Sequence, residues 1–379
     1  MNILELHDNP TAVFDTVITN MQQSGSGVYL GNNPSLSLAV QEAYGWPGVF
    51  MRFIFNKKIL AYATANKVQK NEWFSLPHFN HGGLWVNQSW WEKHYNELNA
   101  AKHDEAHQIF YKLLILAIEK IPTSDTKYRC FEIELFMDDL SKVVPNAKVK
   151  RELKFGCRSE FRLLDYHLGG KVIPCLSLSS SVEEQMKAFS VGVRRKIRKS
   201  QRNGLVVKTG GSELLDDFMK VYDHNIRALG SFGMPRKFFR SLLLHYAHGL
   251  ASIVVVYHNQ KAVGAAILLT FLDFAENPWF ATVRDYNHLY VSYALHHQMI
   301  TESINAGCRT YSFGRSTRDS SVHRYKKQWG TNDETLFVNT TYKNPKISHK
   351  RFLPVQNLVR MIPNNLARKM DMQVSRHIF

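Results

Sequence analysis

The feature that most limits how this chain can fold is a plan that it runs through twice. From Val49 the sequence gives an apolar run, a turn at Asn56-Lys57-Lys58, a second apolar run and a strand around Trp73-Phe74. A periodic helix from His107 to Ile121 and a strand from Tyr128 to Phe136 follow. From Ser252 the order returns: apolar run, a turn at His258-Asn259-Gln260-Lys261, apolar run, a strand at Trp279-Phe280, a helix from Tyr293 to Ala306 stopped by Gly307, and a strand from Arg309 to Phe313. The tetrad Asn-x-Trp-Phe stands at 71–74 and again at 277–280. A solenoid needs at least three short repeats, so two long copies imply duplication of one α/β unit. The length of 379 residues agrees, since one hydrophobic core rarely serves so long a chain.

Charge says what such a frame binds. Lys and Arg outnumber Asp and Glu by 48 to 32, a formal net charge of +16. That surplus implies an anionic partner: nucleic acid, a phosphorylated substrate or membrane headgroups. Hydrophobic residues at 44% and aromatics at 12% suffice for real cores and exclude general disorder. The cysteines at 130, 157, 175 and 308 form no C-x-x-C pair, which fits a reducing compartment and argues against a zinc ribbon. The first residues lack a basic segment followed by an apolar run, and the longest apolar stretch, Ala262 to Leu272, is shorter than the roughly 20 residues that span a bilayer. The expectation is a cytoplasmic protein, either soluble or peripheral at the inner membrane.

Between the two copies lies the most charged helix. Ser181 with Glu184 makes a capping box, Gly204 a stop, and Met186, Phe189, Val193 and Ile197 an apolar stripe. Its other face carries Arg194, Arg195, Lys196, Arg198, Lys199 and Arg202 without an acid. Like charges four residues apart oppose a helix by a few tenths of a kcal/mol each, so Arg194, Arg195, Arg198 and Lys199 are candidate polyanion contacts, the alternative being a solvated basic face. A helix from about Glu213 to Leu229 follows, with Leu214, Phe218, Val221, Tyr222, Ile226 and Leu229 as its buried side and Asn225 and Arg227 as candidate ligand contacts. Pro235 opens the next helix. The segment from Lys343 onward is basic and amphipathic, a pattern shared by membrane-surface helices and by helices that cap a domain.

The stretch Tyr311 to Gly330 begins as an apolar strand, breaks at Gly314, and sets Arg315, Arg318, Arg324, Lys326 and Lys327 against one acid, Asp319. A strand end followed by a glycine and a cationic loop is where an open α/β sheet receives an anion. A solvated loop with Trp329 docked on the core reads the same way. Other motifs lack their context. His103 and His107 miss the H-E-x-x-H pattern, because Asp104 stands where the base belongs; His78 and His81 sit in a Gly-rich loop; no G-x-S-x-G, Walker A or dinucleotide fingerprint is present. No metal site is expected.

Three segments resemble the FemAB-like branch of the GNAT acyltransferase superfamily, the peptidoglycan interpeptide-bridge aminoacyltransferases, in particular the subgroup associated with exosortase and exopolysaccharide systems. They are VYDHNIRALGSFGMPRKFF (221–239), NPWFATVRDYNHLY (277–290) and FGRSTRDSSVHRYKKQWG (313–330). The resemblance implies an α/β (α+β) chain of two tandem GNAT-like domains, each a mixed, mostly antiparallel sheet flanked by helices, with a cleft between them. The domains would be 1–165, then the catalytic 166–345, with 346–379 as a basic amphipathic tail. In the family a Phe-Lys pair stands at the transfer centre, which places Tyr325 and Lys326 there: the Tyr325 carbonyl holds the attacking amine and Lys326 stabilises the transferred carbonyl.

Chemistry gives Lys326 the same task, because acyl transfer passes through an oxyanion that a fixed cation stabilises. Arg315 suits an anion clamp. Gly314, Ser316 and Trp329 complete that binding stretch, while Asp285, as a catalytic residue, and Tyr286 follow a strand and are expected to face the same crevice. The resemblance implies aminoacyl-tRNA or acyl-CoA as the donor, with no bound cofactor. It also implies an anionic nucleotide- or lipid-linked sugar of the cell envelope as acceptor, with tRNA as an expected further partner. The alternatives are an acyl-CoA-dependent N-acyltransferase acting on an amino sugar and a non-catalytic nucleic-acid-binding protein.

Overall fold

A computed structural model describes residues 1–8, 10–69, 72–74, 83–94, 106–121, 128–136, 157–158, 167–339, 359–362 and 364–375. Asn71, His78, His81 and His103 lie outside the described residues, as does the side chain of His107. The chain divides into two compact units, Met1–Gly169 with Leu336–Pro345, and Gly170–Thr335 with Lys346–Phe379.

The first unit runs β1 (Asn2–Leu6), α1 (Pro10–Ser24), α2 (Ser35–Tyr44), β2 (Gly48–Phe55), β3 (Lys58–Gln69), β4 (Glu72–Phe74), β5 (Trp85–Val86), α3 (Gln88–His94), α4 (Ala106–Lys120) and β6 (Arg129–Glu134), with the short β7 (Cys157–Arg158) beyond. Its sheet has the order β1-β6-β2-β3-β4, and β5 adds to β3. One side of that sheet buries Phe53, Leu60 and Ile133 against Phe110, Leu113 and Leu114 of α4.

The second unit contains β8 (His167–Ser177), α5 (Val182–Ala188), α6 (Val191–Arg202), β9 (Leu205–Gly210), α7 (Leu215–Ala228), α8 (Arg236–His245), β10 (Ala251–His258), β11 (Lys261–Phe271), β12 (Phe274–Thr282), α9 (Val291–Asn305), β13 (Thr310–Ser312), β14 (Ser316–Thr317), α10 (Ser321–Lys327), the start of β15 (Asn332–Asn339) and α11 (Asn364–Ser375). Its sheet runs β8-β13-β12-β11-β10-β9, with β14 on β8. Every pairing within that run is antiparallel except β12 with β13. Helix α9 packs close to this sheet: a Cβ on Gly264 would stand 2.3 Å from Val291 Cγ1, so the strand beneath the helix requires glycine there.

The duplication is real and longer than its sequence signal. Each unit sets a strand and two helices directly ahead of the hairpin, β1-α1-α2 and β9-α7-α8. The hairpin turns match in detail. Asn56 and Lys57 have φ of 48° and 62°, Asn259 and Gln260 of 49° and 65°. Paired positive φ values form the type I′ turn that suits the twist of two-residue hairpins. A register shift falls in the same place in both, between Phe53 and Ile54 and between Val256 and Tyr257. The copies differ in the last strand: β13 lies parallel to β12, whereas β6 lies parallel to β2 at the far side of its hairpin.

Three local expectations are corrected. The charged helix is two helices, because Ser190 caps a new start at Val193 N–H while Phe189, with ψ of 147°, leaves the helix. Leu229 is 58% exposed, and α7 buries Asp223 and Arg227 in its place. The stretch after Gly314 is not an open loop but a short strand and a capped helix. The last described helix, α11, packs into the second unit: Ala367 is fully buried, Arg368 donates to Asp223, and Asp371 receives Arg227 and the Gly233 N–H. Among the described residues no helix is long and apolar enough to cross a membrane.

Candidate active site

Strands β12 and β13 run side by side only from Phe274↔Thr310 to Glu276↔Ser312. Beyond that register the chain leaves β13, turns at Gly314 with φ of 68°, and pairs Ser316 and Thr317 with β8. Two parallel strands therefore part immediately after Glu276 and Ser312. Aromatic side chains pack this region. His296 of α9 stacks on Phe280 at 4.5 Å between centroids and meets Phe313 at 4.6 Å; Trp329 stacks on Tyr293 at 5.4 Å and meets Phe189 edge-on at 5.3 Å.

Helix α10 brings Lys326 to this place. Ser320 Oγ accepts from His323 N–H, the capping bond that starts the helix. His323 Nδ1 accepts from the Asp319 N–H, so Nε2 carries the proton and donates to Asp333 Oδ2 at 2.9 Å. Arg318 and Lys327 also approach Asp333, at 3.5 Å each. Tyr325 docks on Tyr293 and Trp329 is buried at 2%, so Trp329 is a core anchor rather than a ligand contact.

With the helix held so, Lys326 is 8% exposed and its Nζ donates to the carbonyls of Gly314 at 2.8 Å and Arg315 at 3.2 Å. Burial drives its pKa from the ordinary lysine value down to about 8, the charge of Glu276 opposes that shift, and Arg315 adds to it. The ammonium is thus held by backbone carbonyls in a buried place, with its charge poised near neutral pH. The Tyr325 carbonyl accepts from Gln328 N–H at 3.2 Å, which leaves it a second lone pair. Arg315 is exposed, and among the described residues no group accepts a hydrogen bond from its guanidinium. Ser316 is buried at 5% and its hydroxyl lacks a partner.

Sequence reasoning missed two members. Glu276, fully buried, takes a hydrogen bond from Ser312 Oγ at 3.0 Å. His296, buried at 2%, meets the Tyr311 hydroxyl at 3.0 Å, and burial together with the Lys326 charge holds its pKa well below the usual histidine range. An acid inside the apolar run FAENPWF was the available signal for Glu276.

Other candidates go elsewhere. Asp285 is exposed on the turn after β12, and Tyr286 packs against His258 and Lys261 at the β10–β11 turn, on the side away from β13. No described contact joins either to Lys326. Asn225 donates to the Thr282 carbonyl at 3.1 Å. Arg227, 7% exposed, is committed to Asp371 at 2.6 Å and to the Ser231 carbonyl, so it is not free for a ligand. Asn225 Nδ2 and both terminal nitrogens of Arg227 are thus spent within the unit, while Arg227 Nε is buried without a partner among the described residues.

The basic helix faces an open groove of about 690 Å³ lined by Met186, Lys187, Arg195, Arg198, Lys199 and Arg202 among others. Arg194 lines it too but spends its guanidinium on the Lys187 and Phe189 carbonyls, closing the corner between α5 and α6. Lys199 sits 5.6 Å over the Tyr290 ring. Lys196 turns the other way, donating to Tyr293 Oη and Gln328 Oε1, and so ties α6 to the end of α10. Among the described residues no cluster of His, Cys, Asp or Glu has the arrangement of a metal site.

Residues 188–327 match the family described as Acetyltransferase (GNAT) domain. No curated protein matches the sequence. Among solved structures, FemX superposes with a TM-score of 0.60 at 12% identity, over 94% of this chain and 100% of that one. The C-terminal domain of a putative lysylphosphatidylglycerol synthetase from Agrobacterium fabrum gives 0.49 at 10% identity, over 87% of this chain and 92% of that one. The L-PGS from Bacillus licheniformis gives 0.48 at 10% identity, over 93% and 98%.

Proposed function

From an acyltransferase that carries a GNAT domain and has the FemAB-like fold of FemX, we propose that the chain moves an aminoacyl group from tRNA to an amine of an anionic cell-envelope precursor. The observation that carries this reading is Lys326, a buried ammonium fixed by the Gly314 and Arg315 carbonyls. In the reaction the acceptor nitrogen forms a bond to the acyl carbon, and the carbonyl electrons move onto oxygen. That oxyanion lies against Lys326, which stabilises it without having to reorganise. Collapse breaks the ester C–O bond, the ribose oxygen takes up a proton, and the acceptor nitrogen loses one. The Tyr325 carbonyl, with its spare lone pair, accepts from the attacking amine and aims it. Exposed Arg315 clamps a phosphate or carboxylate of the acceptor.

The groove beside α6 supports the choice of donor. Several arginines and lysines with no acid among them suit a phosphate backbone better than the single pyrophosphate of a thioester donor. Nucleotide- or lipid-linked sugars of peptidoglycan or exopolysaccharide are the acceptors proposed, with the work done in the cytoplasm or at the inner face of the membrane. The test is to offer radiolabelled aminoacyl-tRNA and, separately, radiolabelled acetyl-CoA with a set of nucleotide- and lipid-linked amino acceptors. Label is expected in an acceptor from the tRNA arm; transfer only from acetyl-CoA would replace the donor, and transfer from neither would refute the activity.

A further inference from the structure

A chain of hydrogen bonds joins Lys326 to the buried carboxylate that β12 places where the strands part. Ser312 Oγ donates to Glu276 Oε2 at 3.0 Å and accepts from the Gly314 N–H at 3.1 Å; the Gly314 carbonyl then accepts from Lys326 Nζ at 2.8 Å. Each link is buried. The central link is Gly314 itself: its N–H belongs to the peptide before its left-handed Cα and its carbonyl to the peptide after it, so the turn that sets this carbonyl's direction is pinned by a hydroxyl that is itself fixed by an acid.

We propose that Glu276 is a positioning residue for Lys326, acting through Ser312 and the Gly314 turn. A carboxylate buried without a task would be costly; here its charge favours the charged forms of Lys326 and Arg315. Among the described residues the other titratable groups near Lys326 are His296 on α9 and Cys175 on β8, the first held neutral and the second held as the thiol by burial, with the acid Glu334 of β15 against Cys175. Glu276 is the acid whose charge opposes the loss of the ammonium's proton in this buried place, while the Ser312 bridge keeps it aimed. The use of this device in catalysis rests on the transfer reaction proposed above; its existence does not, and it is testable without a substrate.

The experiment is a pH titration of the full chain labelled with ¹³C-lysine, following the Cε resonance of Lys326, assigned by its disappearance in Lys326→Met. Glu276→Gln keeps size and hydrogen-bonding capacity but removes the charge, and is expected to lower the Lys326 midpoint by about one pH unit. Ser312→Ala is expected to lower it in the same direction by less, with Ser312→Thr restoring it. A Lys326 midpoint unmoved by Glu276→Gln, or the same in Ser312→Ala as in the parent, would overturn the proposal. If Glu276→Gln does not fold, the Ser312 pair decides the matter. A displaced midpoint in a chain that acylates nothing would sink the transfer reaction and support the relay.

Discussion

At the scale of the residue, Lys326 sets function against stability. Its pKa is lowered from 10.5 to about 8, chiefly by burial. Between those values the unfolded chain binds more protons than the folded one, so this lysine's contribution to stability rises with pH across that window and is unfavourable below it. The shift corresponds to roughly 3 kcal/mol at neutral pH by the linkage of about 1.4 kcal/mol per unit. Lys326→Met is therefore expected to raise the urea midpoint at pH 7 and to flatten the rise in stability between about pH 8 and 10.5, measured by denaturant unfolding at both ends. A variant less stable than the parent at pH 7 would mean that the two carbonyl bonds outweigh the burial of charge. Arg227 shows the contrasting case. Sequence reasoning gave it to a ligand because it projects near a helix end; its acid partner, Asp371, stands 144 residues away along the chain, and pairing over such a separation has no local signal.

At the scale of the element, helix α6 concentrates charge that the fold does not neutralise. The cations expected to touch a polyanion do line a groove, but they are not equivalent. Arg195, Arg198 and Arg202 are expected to bind phosphates, whereas Arg194 closes the α5–α6 corner. Replacing those three with alanine should weaken binding of a tRNA probe and reduce the slope of log K against log salt by about 2 to 3, measured by fluorescence anisotropy. Arg194→Ala should leave that slope nearly unchanged and lower the unfolding midpoint instead; a triple variant with the parent's salt slope would place the polyanion elsewhere. The break before α6 was hard to read because the apolar stripe Met186, Phe189, Val193 and Ile197 passes through it at helical spacing. Ser190 was the local sign of a second cap, and the outward turn at Phe189 depends on packing against Trp329, far along the chain. The hairpins, by contrast, were legible because their turns and strand lengths are local properties.

At the scale of the whole molecule, the duplicated order of elements was readable and the sheet order was not. Period and turn chemistry fix which segments are strands, but nothing local decides that β13 lies against β12 while β6 lies against β2. That pairing makes the site, since only parallel strands that part after Glu276 and Ser312 leave room for Gly314 to turn and Lys326 to enter beneath it. Asp285 and Tyr286 were misplaced for the same reason: they follow β12, but they lie toward β10 and β11 rather than toward β13. A motif singled out Tyr325 and Lys326, and the fold adds what no motif carries for Lys326: burial and two carbonyl partners. The most direct measurement is the single-turnover rate of transfer from aminoacyl-tRNA to its amine acceptor by the parent and by folded Lys326→Met. A fall of about 10²- to 10³-fold, the usual loss on removing one oxyanion partner, with donor binding unchanged, is the predicted result. Transfer at the parent's rate by the methionine variant would contradict the assignment of the site.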